Sequence, residues 1–499
     1  MLRSRSDEVR VGHGQDMAEP LSVSERFMLD GDLYLDYDAP RASRWVWSKW
    51  RSWVRSWTRS DMAMAGMSLG LFACMSFYFY IPSSLYIYVT CVCFTAPAML
   101  VTTLMRRLRT RRTDQKKRLQ VTGVITAFVL ACLVRDLFFS ASVPRHWRTP
   151  RTSTYYIASL LHNSEAILPH YSRSLLHLAK DLGPSNVYVS IYENDSRDRT
   201  PALLRTLDQQ LQSLGVSTHI VTDTQSKDTR QKDRIERLAT YRNLAMAPLN
   251  EALGGMLHGK PFDKVIWIND VFFESDTVHA LLDTEGGEFD QACAMDFCWL
   301  GFYDTWVMRD ADGKTMRPFW PYFRATQDQA AGRARLPVPV NACWNGITAF
   351  DARWFMNATT NASLPTLTAA MALPPHRPLL HQDALDRAAT VPLSFRSSST
   401  CFASESLLSS LDMHRISWPH RPRIYVNPDL VVAYDRPNYV LYGSMMRWSV
   451  VAPWRYIWQY WVEHRLVGFA LHILRRVDPC TEVFQPYWVP RLPHLLSSP

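Results

Sequence analysis

Three polar clusters in this sequence sit at the ends of apolar runs, where side chains able to do chemistry stand out. The segment VIWINDVFF (265–273) reads as a buried strand that is broken by Asn269 and Asp270. A carboxylate in so apolar a setting is either a turn or helix cap or a ligand-facing group at a strand's carboxyl end. As a ligand, Asp270 suits a hard cation such as Mg2+ or Mn2+, which takes oxygen donors from one or two carboxylates and from substrate phosphates. The segment IYENDSRDRTPALL (191–204) sets Glu193, Asn194, Asp195, Ser196, Asp198 and Thr200 between a strand and a helix. Such a loop can grip a nucleoside, and the helix N-terminus that follows favours anions. It also reads as a capping loop with Pro201 at the first helical position, and the two readings are compatible. In RIERLATYRN (234–243), Arg234, Arg237, Tyr241 and Arg242 recur along a helix. Arginine pairs bidentately with phosphate, while a solvated basic face is the plainer alternative. Asn243 is polar where the pattern turns apolar.

Other candidates lie further along. FDQACAMDF (289–297) reads as a strand ending near Asp296, and VNACWNGITAFDARWF (340–355) places Trp344, Asn345 and Gly346 in a tight turn before a strand. Glu405 opens a helix in CFASESLLSSLDMHR (401–415), either as a carboxylate favoured by the helix dipole or as a base on the acceptor side. GFYDTWVMRDADGK (301–314) is a polar and aromatic loop, and RIYVNPDLVVAYD (423–435) reads as strand–turn–strand about Asn427-Pro428-Asp429.

The elements that must position these groups follow from hydrophobic period. Strands are expected at 154–159, 187–192, 218–223 and 264–269, alternating with helices at 164–183, 200–215 and 230–253. That βαβαβαβ order predicts a mostly parallel sheet with both faces covered. Ligands bind such sheets beyond the carboxyl ends of the strands. No glycine-rich phosphate loop with a basic signature follows the first strand, which counts against a nucleotidyltransferase.

Ahead of this domain the pattern is that of a membrane protein. Residues 1–60 are polar and aperiodic, a disordered cytosolic tail ending in the Trp/Arg stretch 44–59. Uncharged runs at 62–81 and 85–105 are each long enough to cross a hydrocarbon core of about 30 Å, and a third span is expected over 121–143 within a membrane region of 61–143. Basic residues before the first run and in the cluster 106–118 belong on the cytosolic side, so three spans deliver everything after about residue 145 to the lumen, whereas a third segment that only lies in the interface leaves the large domain cytosolic. The net charge of +9 is then partly topological and no nucleic-acid partner is implied. The sequons at Asn357 and Asn361 suit that orientation. Cys293, Cys298, Cys343, Cys401 and Cys480 are available for disulfides in an oxidising compartment, whereas Asn194-Asp195-Ser196 is expected to be buried and unmodified. The aromatic and basic stretch within 441–499 reads as a helical extension, packed or lying on the membrane face.

Seven separated segments (159–207, 234–249, 264–273, 289–297, 302–313, 341–355 and 401–406) together resemble one family, the cryptococcal-type α-1,3-mannosyltransferases and their capsule-associated relatives, glycosyltransferase family 69. The resemblance covers roughly 150–440. It implies an α/β, GT-A-like nucleotide-sugar-binding sandwich with a mostly parallel sheet, preceded by transmembrane helices in the Golgi membrane, with the catalytic domain lumenal. It implies transfer of mannose from GDP-mannose to a mannoside or polysaccharide acceptor, retaining, with Mn2+ or Mg2+. By resemblance, the loop with Glu193, Asp195 and Asp198, the pair Arg242-Asn243, and Asn269 lie at the nucleotide sugar and Asp270 holds the metal; Arg237, Trp344 and Asn345 join the nucleotide-sugar candidates from the residue patterns above. Ile268-Asn269-Asp270 departs from the Asp-x-Asp pattern of such enzymes in having one acidic residue. Retention needs either attack on the face that the nucleotide leaves or a carboxylate nucleophile, for which Asp296 and Glu405 are candidates. A catalytically inactive relative acting as a partner or export factor in polysaccharide assembly is the alternative.

Overall fold

The computed structural model describes residues 131–132, 152–224, 233–298, 301–311, 313–357, 390–398, 403–417, 421–448, 451–452 and 455. Its centre is a nine-stranded sheet. Four parallel strands come first: β1 (Tyr155–Leu161), β2 (Val187–Asn194), β3 (Ser217–Thr224) and, after a short hairpin of β4 (Met256–Leu257) and β5 (Lys260–Pro261), β6 (Lys264–Ile268). Then come β7 (Gln291–Cys298), β8 (Gly301–Phe302), β9 (Val338–Pro339), β10 (Ile347–Asp351) and β11 (Ile424–Ala433). The spatial order is β3-β2-β1-β6-β10-β7-β11-β9, with β8 paired to β7. The expected strand near 289–297 is therefore not the neighbour of β6. β10 lies between them, antiparallel to both.

Period-two side-chain placement loads both faces of the sheet. Tyr155, Ile157, Ile266 and Ile268 join the core under α1 (Leu168–Leu182), α2 (Thr200–Ser213) and α4 (Ser275–Leu282). Tyr156, Ala158, Val265 and Trp267 join the opposite core under α3 (Arg234–Glu251) and α6 (Glu405–Ser417). α1 is amphipathic at helical spacing, burying Leu168, Tyr171, Leu175, Leu178 and Leu182. A third cluster unites Met295, Phe297, Phe302, Tyr322, Val431, Leu441 and Tyr442, and α5 (Thr326–Ala334) and α7 (Arg436–Gly443) are two further helices of this domain.

Three expectations are corrected. β11 is one strand and not a hairpin: its halves both pair parallel with β7, with a bulge between Val426 and Val431. Pro428 lacks an N–H, and Asn427 turns inward to Thr284 and accepts from the Asp429 amide, so the chain bulges and resumes its direction. The domain also continues past residue 440, because α7, Met445, Trp448 and Val451 are buried in the third cluster. Asn194, thirdly, is half-buried rather than buried. The segments expected at 62–81, 85–105 and 121–143 lie outside the described residues, apart from 131–132. Among the described residues no helix is long and apolar enough to cross a membrane.

Candidate active site

Because β1, β2, β6, β7 and β11 run the same way, their carboxyl ends gather His162, Glu193, Asp270, Asp296 and Tyr434 at one edge of the sheet. β10 runs against them, so the turn that precedes it, Trp344–Gly346, reaches the same edge. The Asn269 amide donates to the Gly346 carbonyl (2.9 Å) and the Phe272 amide to that of Ala433 (2.7 Å), tying the ends of β6, β10 and β11 together. Gly346 has φ +77°, and a Cβ there would lie 2.9 Å from Val432 Cγ2, 3.1 Å from Asp296 Cβ and 3.1 Å from Val271 Cγ1. Only glycine fits this crossing.

Asp270 is half-buried just beyond β6, and among the described residues its carboxylate has no ion pair and no side-chain donor. Burial pushes its carboxyl up to about 6, although its own amide and the positive fields of Arg242 and His162 pull the other way. No group of three or more acidic, histidine or cysteine donors forms a cation site among the described residues. One open carboxylate fits Mn2+ or Mg2+ only in the mode where substrate phosphates and water fill the remaining positions, which is the usual mode for Mg2+. Asn269 does not add a second ligand. Its Oδ1 accepts from the indole Nε1 of Trp267 (3.2 Å) and of Trp344 (3.3 Å).

Arg242 and Glu405 form a buried pair. Nε of Arg242 donates to Oε1 of Glu405 at 2.9 Å, with the two residues 7% and 2% exposed. The guanidinium carbon lies 4.4 Å from the Trp344 ring centre, 5.0 Å from that of Trp267 and 5.8 Å from that of Phe395. Nη1 is buried with no hydrogen-bond partner. A guanidinium in an aromatic box keeps its charge while shedding water. The hydroxyls of Ser404 and Ser406 also point to Glu405, each at 3.3 Å.

A second carboxyl group faces the site from the loop after β8. Asp304 is half-buried, accepting from the Val307 amide (3.3 Å) at Oδ1 and from the Asn345 amide (3.0 Å) at Oδ2. Its own amide donates to Oδ1 of Asp296 (3.2 Å), whose Oδ2 accepts from the Tyr434 hydroxyl (3.1 Å). Asp296 is 0% exposed. Burial, then the neighbouring Asp304 charge, raise the Asp296 carboxyl well above the usual range. Burial likewise lifts Asp304 to about 6, against the Asn345 and Val307 amides. Ionising either carboxyl opposes folding. Their contribution to stability is complete below about pH 4 and lost as pH rises through about 6, the value reached by Asp304. The melting temperature of the ligand-free protein should therefore fall between pH 5 and 7.5, and Asp304→Asn should flatten that slope; equal slopes in scanning calorimetry would refute this.

Asp304 was not singled out in the sequence, although it repeats the feature that marks Asp270, an acidic residue flanked by aromatics (Tyr303, Trp306). Asp296 and Glu405, the expected nucleophile candidates, are both buried, Asp296 held by Tyr434 and the Asp304 amide and Glu405 by Arg242.

The remaining expected residues divide. Glu193, at the end of β2, accepts from the Ser196 amide (2.7 Å), and Asp195 takes a left-handed φ of 50°. Asp198 is a structural cap: against the cost of burial, the Thr200 hydroxyl and the Thr200 and Glu165 amides hold it below the usual carboxylate range. The Asn243 amide both donates to and accepts from the main chain of Phe395 at 2.8 Å, anchoring that segment. Asn345 is fully buried and donates to the Ala294 carbonyl (2.9 Å). Trp344 is a wall of the aromatic box, and Arg237 is half-buried on α3 with no ion pair among the described residues. Of the five cysteines considered, Cys293 and Cys343 form a disulfide that joins β7 to the segment before β10.

Residues 154–412 match the family model described as cryptococcal mannosyltransferase 1. Over 301 residues the chain is 25% identical to "Alpha-1,3-mannosyltransferase CMT1" of Cryptococcus neoformans var. neoformans serotype D, covering 56% of this chain and 58% of that protein. The chain thus spans rather more than half the length of that relative. Among solved structures it is similar to "Mannosyltransferase PcManGT from Pyrobaculum calidifontis in complex with GDP-Man and Mn2+", 14% identical over 72% of this chain and 77% of the other with a TM-score of 0.30. It is also similar to S. aureus TarS residues 1–349, 12% identical over 64% and 75% with a TM-score of 0.29. Likenesses of that strength carry no functional argument.

Proposed function

This chain belongs to the cryptococcal mannosyltransferase 1 family, and from that premise we propose that it transfers mannose from GDP-mannose to a mannoside or polysaccharide acceptor. The observation that carries the proposal is Asp270: a carboxylate without a partner, at the carboxyl end of a central parallel strand, in the field of a desolvated arginine. A GT-A-like site needs these parts at this edge of the sheet.

The roles follow from the chain's own groups. Asp270 is the residue that would hold Mn2+ or Mg2+ against the donor's diphosphate. Held there, such an ion would supply positive charge to the departing diphosphate. Arg242 adds a fixed positive charge in a water-poor box, where it acts on the same developing charge without reorganising. Glu405 orients that guanidinium, and Trp267, Trp344 and Phe395 exclude water from it. Glu193 and Asp195, at the end of β2, are assigned to the nucleoside. Asp304, less buried than Asp296 and Glu405, is assigned as the carboxyl on the acceptor side. A value near 6 suits a group that takes a proton from an attacking hydroxyl near neutral pH. Retention of the α configuration and the α-1,3 linkage are part of the proposal through the family.

We place the protein in the Golgi membrane, anchored in the bilayer by its amino-terminal apolar runs, with this domain lumenal. The Cys293–Cys343 disulfide supports an oxidising compartment, and Asn357 of the first sequon is exposed. A second reading, that of a family member serving as a catalytically inactive partner in polysaccharide assembly, is favoured by Asn269 alone. The full-length chain in detergent, given labelled GDP-mannose, Mn2+ and α-mannobiose, is expected to form a labelled trisaccharide, and EDTA to stop it. Absence of transfer across a panel of nucleotide sugars and mannoside acceptors would overturn the enzyme reading.

A further inference from the structure

We propose that Asn269 is a hydrogen-bond donor to an anionic phosphate oxygen of the donor nucleotide, locked in that orientation by Trp267 and Trp344. The inference rests on the nucleotide-sugar reading above and assigns one residue of that site. Indole Nε1–H groups donate and never accept. Two of them converge on one end of the Asn269 amide, at 3.2 Å from Trp267 and 3.3 Å from Trp344. That end must be the carbonyl oxygen, so the usual ambiguity of an amide side chain does not arise.

Two consequences follow. The oxygen is committed to two N–H dipoles whose positive ends face it, so it is no place for a cation. The Nδ2 group is what remains. It has no partner among the described residues, and Asn269 is half-buried, so two N–H donors are left for a ligand.

A second observation points to an anionic ligand. The same two indoles flank the Arg242 guanidinium, which is 7% exposed and whose buried Nη1 finds no acceptor in the protein. Buried donors in folded proteins are nearly always paired. An unpaired guanidinium nitrogen and an amide Nδ2, both fixed on one pair of indoles and next in chain to Asp270, make a donor set for an anion. Glu405 already balances the arginine charge through Nε, so what is left over is N–H donors; a phosphate oxygen, which accepts from several N–H groups at once and most strongly from a guanidinium, satisfies both groups. A second acid at position 269 would instead put a negative charge against that phosphate.

The test is Asn269→Asp, chosen because a carboxylate still accepts from both indoles and so preserves the packing. GDP, without sugar, is titrated into the full-length wild type and variant by calorimetry, with Mn2+ and separately with EDTA. We expect GDP affinity to fall roughly ten- to hundredfold in both buffers, the size of a lost hydrogen bond to a charged group. Unchanged GDP affinity would overturn the inference by moving the contact to a sugar hydroxyl or to nothing. Tighter binding in Mn2+ would overturn it by making position 269 a cation ligand. Failure of the wild type to bind GDP at all would count against the nucleotide-sugar reading itself. Should Asn269→Asp not fold, Trp344→Phe removes one of the two anchoring donors. Its GDP affinity is expected to fall several-fold, and full wild-type affinity would overturn the proposal.

Discussion

Asp270→Asn is expected to lower mannosyl transfer by roughly a hundred- to thousandfold, the scale seen when one preorganised electrostatic group is removed from a site, while the protein gains thermal stability at neutral pH. The two effects have one cause. The carboxylate is held half-buried with no partner, and burial raises it from 3.8 to about 6. At pH 7 the ligand-free protein therefore carries an ionised group that the fold disfavours. A neutral amide of the same shape removes that penalty, about 1–2 kcal/mol once the group's partial exposure is allowed for. The sign of the pH dependence is fixed as well. Below about pH 4 the aspartic acid is already neutral in both states and the variant gains nothing. The gain appears as pH rises through about 6, the folded-state value. Melting temperatures at pH 4.5 and 7.5, together with kcat at saturating donor, check both halves. Wild-type turnover in the variant would remove Asp270 from the chemistry. A drop in melting temperature at pH 7.5 would show that the carboxylate has a stabilising partner.

Glu405→Ala should be the most damaging single change to stability. It removes the partner of Arg242 from a pair whose members are 2% and 7% exposed, leaving a cation in an aromatic box with Nη1 already unpaired. Breaking one side of a buried ion pair typically costs about 3–5 kcal/mol, a large part of the margin of a domain. Glu405→Gln, which keeps an acceptor for Nε, should cost much less. The double change Arg242→Met with Glu405→Leu should recover most of the stability, since apolar groups of similar volume often replace a buried pair without loss. It should not recover transfer, because the positive charge at the diphosphate is gone. Urea midpoints for the three variants, with activity measured beside them, separate these roles. A Glu405→Ala midpoint equal to wild type would contradict the buried pair.

The local parts of this molecule were legible in the sequence because they depend on local period. The short runs of strand-forming residues at 154–159 and 264–268 and the apolar spacing of three and four over 168–182 are set by neighbouring residues, and these strands and this helix appear where they require. The preference of ligands for strand carboxyl ends then made Asp270 visible, as did its intrusion into an apolar run. Partnership across the chain was not legible. Arg242 and Asn243 are adjacent on one helix, yet helical rotation sends one to Glu405, 163 residues away, and the other to Phe395, 152 away. Asp304 drew no notice because its meaning lies in Asp296, and Asp296 looked open because Tyr434 comes 138 residues later. Asn269 is the clearest case. The sequence shows only an acid missing from a metal motif, while the fold brings Trp344 in from 75 residues away to fix the amide as a donor. Local period determined the first four parallel strands and the helices between them, and with them which strand ends share an edge. Only the tertiary structure decided which polar groups there are already spent on each other and which are left for chemistry, because a hydrogen bond is set by approach in space and not by order in the chain.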